Sequence, residues 1–411
     1  MHHIPAVIVG AGQAGLAMSR CLDHHQIHHV VLERGRIAER WRSERWDSLR
    51  LLTPNWMNQF PDWSYQGDDP DGFMTAAEYA TSLEQYANSF SAPVITGAAV
   101  QAVRRVPGGY RVESNNGTWH ARSVVIATGH CDVPLVPEMA RHLPDSICQL
   151  TPTTYGNPAE LPDGGVLVVG ASASGVQLAD EIQRSGRQVT ISVSRHTRLP
   201  RHYRGRDIMQ WLHCYGILED EAITADELET ARSLPSIQLI GRPEHATLDL
   251  AVLRDIGVRL VGRVAGIRAG VLRLNRNLTE AIAGSHARLD RLLTRIDVFA
   301  DAVGAPAEPH PEPFAVDESP TTLNLAENGI RTVIWATGFR RNYSWLHVPV
   351  LDASGEIIHT RGVTPASGLY VTGLRFQRQR DASFISAVNG DAIELAEHIQ
   401  RQLTTAPGIA A

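Results

Sequence analysis

The pattern that most limits what this chain can fold into is an apolar strand running into a glycine turn and then a helix, and the pattern occurs twice. Ala6-Val7-Ile8-Val9 is a continuous apolar run, as a strand covered on both faces requires, and Gly10-Ala11-Gly12-Gln13-Ala14-Gly15 follows it directly. Behind the turn, Ala14, Ala17, Met18, Cys21 and Leu22 recur at helical spacing, and a second apolar strand, Val30-Val31-Leu32, ends at Glu33. Each position has a chemical reason. Gly10 permits the tight turn, Gly12 lets a pyrophosphate lie against the backbone, and Gly15 lets the helix pack on the strand. Free N–H groups and a partial positive charge at the helix start attract phosphate. Glu33 stands where a carboxylate can accept both hydroxyls of a ribose. The pattern predicts a dinucleotide site walled by Gly10, Gly12, Gln13, Ala14, Gly15 and Glu33.

The second copy is Val166-Leu167-Val168-Val169 followed by Gly170-Ala171-Ser172-Ala173-Ser174-Gly175. Ser172 replaces the middle glycine and is small enough to keep the phosphate approach open. Leu178, Ala179 and Ile182 continue a helix face from Gly175, and Val189, Ile191 and Val193 alternate as a strand closing on Ser194-Arg195. Where the first unit has Glu33, this one has a hydroxyl and a guanidinium. A planar guanidinium fork suits a 2′-phosphate, so NADPH is expected over NADH, with Gly170, Ser172, Ser174, Gly175, Ser194 and Arg195 around it. His196, Arg198, Arg201, Arg204 and Arg206 are expected to extend the positive charge.

The 411 residues exceed one ordinary core, and 43% apolar with 20% charged residues is usual for a globular chain. A net charge of −6 gives no electrostatic reason for a nucleic-acid or anionic-membrane partner. No apolar run reaches membrane-span length, and residues 4–9 enter a glycine turn rather than a signal-peptide cleavage site, so the cytoplasm is the expected location. The four cysteines form no C-x-x-C pair, which removes the redox dithiol used by one group of two-nucleotide flavoproteins. His24-His25-Gln26-Ile27-His28-His29 is read as a solvated loop with no metal.

Residues 118–126 read as a strand ending in Ala127-Thr128-Gly129, and Val333-Ile334-Trp335-Ala336-Thr337-Gly338 repeats that arrangement. Small triplets after an apolar strand allow the backbone to pass close to a cofactor. Leu369-Tyr370-Val371-Thr372-Gly373 is one more buried strand, and Phe384, Val388, Ala392, Leu395, Ile399 and Leu403 make a final amphipathic helix starting near 381–383. The expected fold is α/β with two Rossmann-like dinucleotide-binding domains, the second inserted into the first. The first comprises residues 1–162 and 330–411 and the second residues 163–329. Within the second, about 205–328 form a partly helical extension, with helices over 226–234 and 278–303 and a strand over 257–261.

Together these residues resemble the flavin-containing monooxygenases, including the plant YUCCA-type and related bacterial enzymes. The resemblance is carried by both glycine turns, Trp41, Leu49-Arg50-Leu51 with Pro54, Ala127-Thr128-Gly129-His130, Ala336-Thr337-Gly338-Phe339, and Gly368-Leu369-Tyr370 with Gly373-Leu374. It implies that the first domain binds FAD through Gly10, Gly12, Gly15, Glu33 and Trp41, with Val100 near the adenine. It also implies that the second binds NADPH, and that the final helix points its start at the flavin. Three stretches depart from the family pattern. Ala38-Glu39-Arg40 stands where paired glycines are usual, Leu143, Asp145 and Gln149 replace a marked F-x-G-x-x-x-H, and only Asn55 is available as the asparagine beside the flavin.

The implied function is an NADPH-dependent FAD monooxygenase. It would form a flavin C4a-(hydro)peroxide with O2 and oxygenate a small organic substrate by N-, S- or Baeyer–Villiger oxidation, with Asn55 as candidate catalytic residue. The alternative is an NADPH-dependent flavin reductase or oxidase releasing H2O2, and a third class is a non-catalytic redox sensor. Expected partners are the substrate and O2, and the chain could pair with a second copy as a homodimer.

Overall fold

The computed structural model describes residues 2–220, 225–380, 382 and 384–405. His2–Val9 and His29–Leu32 pair in parallel, Ala6 opposite His29 and Val9 opposite Leu32, with helix Gln13–His24 connecting them. One eight-stranded sheet runs Leu346–His347, Val100–Val106, Gly109–Ser114, Gly117–Ile126, His2–Val9, His29–Leu32 and Val94–Ile95, and Leu369–Val371 joins Gly117–Ile126 in parallel. Helices Gln13–His24, Ala76–Ser89 and Val388–Thr405 cover one face through Leu16, Leu83 and Leu395, while Tyr110, Trp119 and Leu346 pack the other. That double cover is why the central strands are apolar throughout rather than alternating.

The second sheet is wholly parallel, in the order Arg259–Val261, Val189–Ser192, Gly165–Val169, Ile330–Trp335 and Cys148–Leu150. Helix Ala173–Arg184 buries Val176, Leu178 and Ile182 against it. Strand pairing divides the chain differently from the expected boundaries at 162 and 330. Cys148–Leu150 and Ile330–Trp335, read as part of the first domain, are neighbours in the second sheet. Both sheets use the same kind of apolar strand, so the sequence of Ile330–Trp335 does not say which one it joins.

Helices Ala225–Ser233 and Leu278–Ala302 and strand Arg259–Val261 form where the periodicity predicts them. Leu289, Leu293 and Ile296 of the long helix enclose Trp211 and Tyr203 in a core that reaches Met57 of the first segment. The final helix occupies Val388–Thr405. Its expected start falls on Asp381 and Ser383, which lie outside the described residues, and Phe384 precedes the helix and packs against the core around Trp211. No helix among the described residues is long and apolar enough to cross a membrane.

Candidate functional site

Both glycine turns open onto one cavity of about 1160 Å³, larger than the usual ~300–1,000 Å³ of a ligand pocket. Each turn follows the carboxyl end of a parallel strand, where open α/β sheets bind their ligands. On the first side Gly10, Gly12, Gln13, Ala14, Glu33 and Val100 line the wall. Helix Gln13–His24 has no side-chain cap, and its first bond runs from Leu16 N to Gly12 O at 3.0 Å. The earlier N–H groups therefore lack intrahelical acceptors and suit an anion. A Cβ placed on Gly12 would meet no atom within 4 Å, so this stretch of backbone lies open to the cavity. Glu33, 8% exposed, accepts from Ala11 N at 2.7 Å and Gly35 N at 2.9 Å. Those bonds fix the carboxylate while leaving lone pairs for a ribose diol. These residues fit FAD.

The small triplets act as crossing points. Gly10 has φ +108°, and a Cβ there would stand 2.7 Å from the Ala127 carbonyl oxygen; Gly170, at φ +111°, is crossed in the same way by Ala336. Gly15 and Gly175 pack on the carbonyl oxygens of Gly10 and Gly170, where any side chain would overlap them. Ala127, Thr128 and Gly129 line the cavity, as do Ala173 and Ser174 of the second turn. Gly15, Gly170 and Gly175 shape the turns without lining the cavity, and Ser172 caps Ala173–Arg184 with its backbone alone. Gly373 lines the cavity against Ala14, and the Gly338 carbonyl oxygen accepts from Leu135 N at 2.8 Å behind the wall. Trp41 is at the wall, edge-on to Tyr79 with Arg45 over its ring at 5.0 Å, and Tyr79 donates to the Gln13 side chain.

Asn55 is not among the lining residues. It is 5% exposed, donates to Asp69 O at 2.9 Å and accepts from Met74 N at 3.1 Å, so its amide ties a loop together. Its local sequence did not reveal that the 69–74 backbone folds over it. The departure at Ala38-Glu39-Arg40 has a structural answer. Ala38 takes a left-handed backbone (φ +59°), the conformation that glycine ordinarily supplies. Arg40 reaches the carbonyl oxygens of Cys131 and Asp132 and the Asp132 carboxylate, clamping the loop after Gly129.

The expected basic loop is largely internal. Arg198 pairs with Asp249, Arg201 with Asp207, Arg204 with Asp297 and Asp301, and Arg206 lies over the Trp211 ring. Arg195 is exposed and Ser194 half-buried, and neither lines the cavity. The positive charge that does line it includes Arg288, Arg291 and Arg295 on Leu278–Ala302, with Arg34, Arg40, Arg45 and Arg50 from the first segment and Arg375 and Arg380 from the last. The i, i+3, i+7 spacing of those helix arginines was the available signal, since it puts them on one face.

His130 and Cys131 also line the cavity. Burial pushes the Cys131 thiol up, but His130, Arg45 and Arg40 together outweigh it and hold the group below its ordinary range. The histidines near residue 24 do not converge. His24 binds Asp62 at 2.6 Å, whereas buried His29 bonds Ser19 and the Ile27 carbonyl. Elsewhere the ligating atoms of His202, Asp207 and His245 lie within 4.8 Å of one another, but Arg201 holds both oxygens of Asp207 and would face any cation there.

This geometry agrees with what the chain resembles. Residues 7–219 match the family described as pyridine nucleotide-disulphide oxidoreductase. The "Uncharacterized oxidoreductase CzcO-like" of Geobacillus kaustophilus is 32% identical over 404 residues, covering 97% of this chain and 99% of that protein. Indole-3-pyruvate monooxygenase YUCCA1 of Oryza sativa is 26% identical over 425 residues, covering 97% and 91%. The fold matches a flavin-containing monooxygenase from Stenotrophomonas maltophilia with a TM-score of 0.67 at 18% identity, covering 98% of this chain and 99% of that one. An open Gly12 backbone, a fixed Glu33 and a second uncapped turn on the same cavity are what two dinucleotides need. The chain therefore belongs to the pyridine nucleotide-disulphide oxidoreductase family, as an oxidoreductase that uses FAD and NADPH.

Proposed function

We propose that this protein oxygenates a small organic substrate with O2, using NADPH as reductant, and that FAD lies along the first glycine turn and NADPH along the second. The observation that carries this is the single cavity. Two nucleotide sites on separate surfaces could not exchange a hydride, whereas here Gly12 and Ser174 line one cavity. FAD held there would supply the redox chemistry, hydride acceptance from NADPH and electron delivery to O2. The chain's own residues orient and enclose. The two uncapped helix starts hold phosphates, and the Arg40 clamp fixes the His130–Asp132 wall. Leu212, Leu218, Ile237 and Leu292 of the 205–328 extension, with Phe376 and Ile385, give the remaining wall an apolar lining that excludes water.

The test is the fate of the electrons. With reduced enzyme, NADP+ and oxygenated buffer, we expect a suitable amine, sulfide or ketone to lower the H2O2 yield per NADPH and to gain an atom from 18O2. Stoichiometric H2O2 across all these classes would establish the oxidase reading instead. One observation favours that second reading. Asn55 is committed to loop hydrogen bonds, and Gln149, at the last departed position, accepts from Trp335 Nε1 at 3.0 Å, so neither touches the cavity.

A further inference from the structure

We propose that Arg288, seconded by Arg291, reads the 2′-phosphate of NADPH, so that coenzyme choice is set by the long helix of the extension and not by the loop arginine Arg195 alone. The inference rests on placing NADPH along the second glycine turn. In a dinucleotide unit the loop after the second strand faces the adenosine ribose, and here that strand is Val189–Ser192. The loop is not left to itself. Ser285 Oγ accepts from Arg198 N at 3.1 Å, and one Arg288 Nη donates to the His196 carbonyl at 2.5 Å. Helix Leu278–Ala302 is thereby docked on the segment that should meet the 2′ position.

Arg288 and Arg291 line the cavity together with Ser174 and Thr197, and neither pairs with a carboxylate among the described residues. Arg288 Nε is screened from solvent and has no hydrogen-bond partner. Burial, then the nearby charges of Arg195 and Arg291, hold the Arg288 guanidinium below its ordinary range, so the three cations press on one another. Arg198 and Arg204, by contrast, each meet aspartate. A dianionic phosphate seated here would relieve the repulsion, and planar guanidinium forks match its oxygens.

The experiment titrates holoenzyme by calorimetry with 2′,5′-ADP and with 5′-AMP, which differ only in the 2′-phosphate. Arg288→Gln is expected to weaken 2′,5′-ADP by about ten- to a hundredfold and leave 5′-AMP within about twofold. Arg288→Lys should restore part of the loss. Flavin content and melting temperature confirm that each variant is folded. Equal weakening of both nucleotides would overturn the proposal, because it would mark Arg288 as a structural strut for the loop. No change in either would also overturn it, leaving the cluster to some other anion such as a substrate carboxylate. A full loss on Arg195→Gln, with Arg288→Gln silent, would return selection to the loop. The placement of NADPH is checked separately with Ser174→Asp, which sets a carboxylate against the phosphates and should weaken NADP+. Undiminished NADP+ binding by that variant would overturn the placement, whereas a weakened one with Arg288→Gln silent overturns only the role of Arg288.

Discussion

Replacing Gly12 by valine is expected to give a folded protein that purifies without its yellow colour. The backbone at Gly12 is extended (φ −86°, ψ −172°), which valine adopts readily, and a Cβ there meets no protein atom within 4 Å. Nothing in the protein opposes the new side chain; what it obstructs is the open backbone on which the FAD pyrophosphate is to lie. Crowding by a branched side chain costs about 1–3 kcal/mol, which weakens flavin on the order of ten- to a hundredfold. Gly15→Ala makes the informative contrast. Its methyl group would overlap the Gly10 carbonyl oxygen, so the helix must leave the strand and the expected loss is of stability as well as flavin. Absorbance per chain and the urea midpoint separate the two effects. A Gly12→Val protein that keeps full flavin and wild-type stability would remove FAD from the first turn.

The second large effect is expected at Arg201, which is fully buried. Its guanidinium meets both oxygens of Asp207, at 2.8 and 2.5 Å, donates to the Leu52 and Ile240 carbonyls, and lies 4.8 Å from the Phe73 ring centre. It joins the segment around residues 52–73 to the start of the extension. Arg201→Ala leaves Asp207 charged, buried and unpaired, and should cost about 3–5 kcal/mol. Asp207 also caps helix Ile208–Cys214 through Met209 N, so the neutralising partner is chosen to keep that bond. The double variant Arg201→Met, Asp207→Asn removes both charges and should lose distinctly less than Arg201→Ala. Urea unfolding of the three proteins decides the matter. A single variant within about 1 kcal/mol of wild type would mean that water reaches the pair.

Some of this was legible because it is local. The strand, turn and helix at residues 6–22 and 166–182 are specified by glycine sterics and apolar spacing within one short segment, and the structure reproduces them closely. Glu33 was readable for the same reason, since it sits at the end of the next strand. The long helix over 278–302 announced itself by periodicity, although nothing in that periodicity said which surface its arginines would face.

What the sequence by itself determined is the chemistry on offer: two dinucleotide turns, an acidic acceptor for ribose hydroxyls after the first and a basic donor for a phosphate after the second. Tertiary structure decided which side chains are free to perform it. Arg198, Arg201 and Arg204 look identical to Arg288 in sequence, yet the fold brings Asp249, Asp207, Asp297 and Asp301 to the first three. Asn55 likewise was a polar residue near the right place until the backbone of residues 69 and 74 took its hydrogen bonds. Ile330–Trp335 could have entered either sheet, and the crossing of Ala336 under Gly170 fixed it in the second. In each case the deciding partner lies far along the chain, and a side chain's hydrogen bonds and charge are satisfied by whatever packing brings within a few ångströms, which no local pattern encodes.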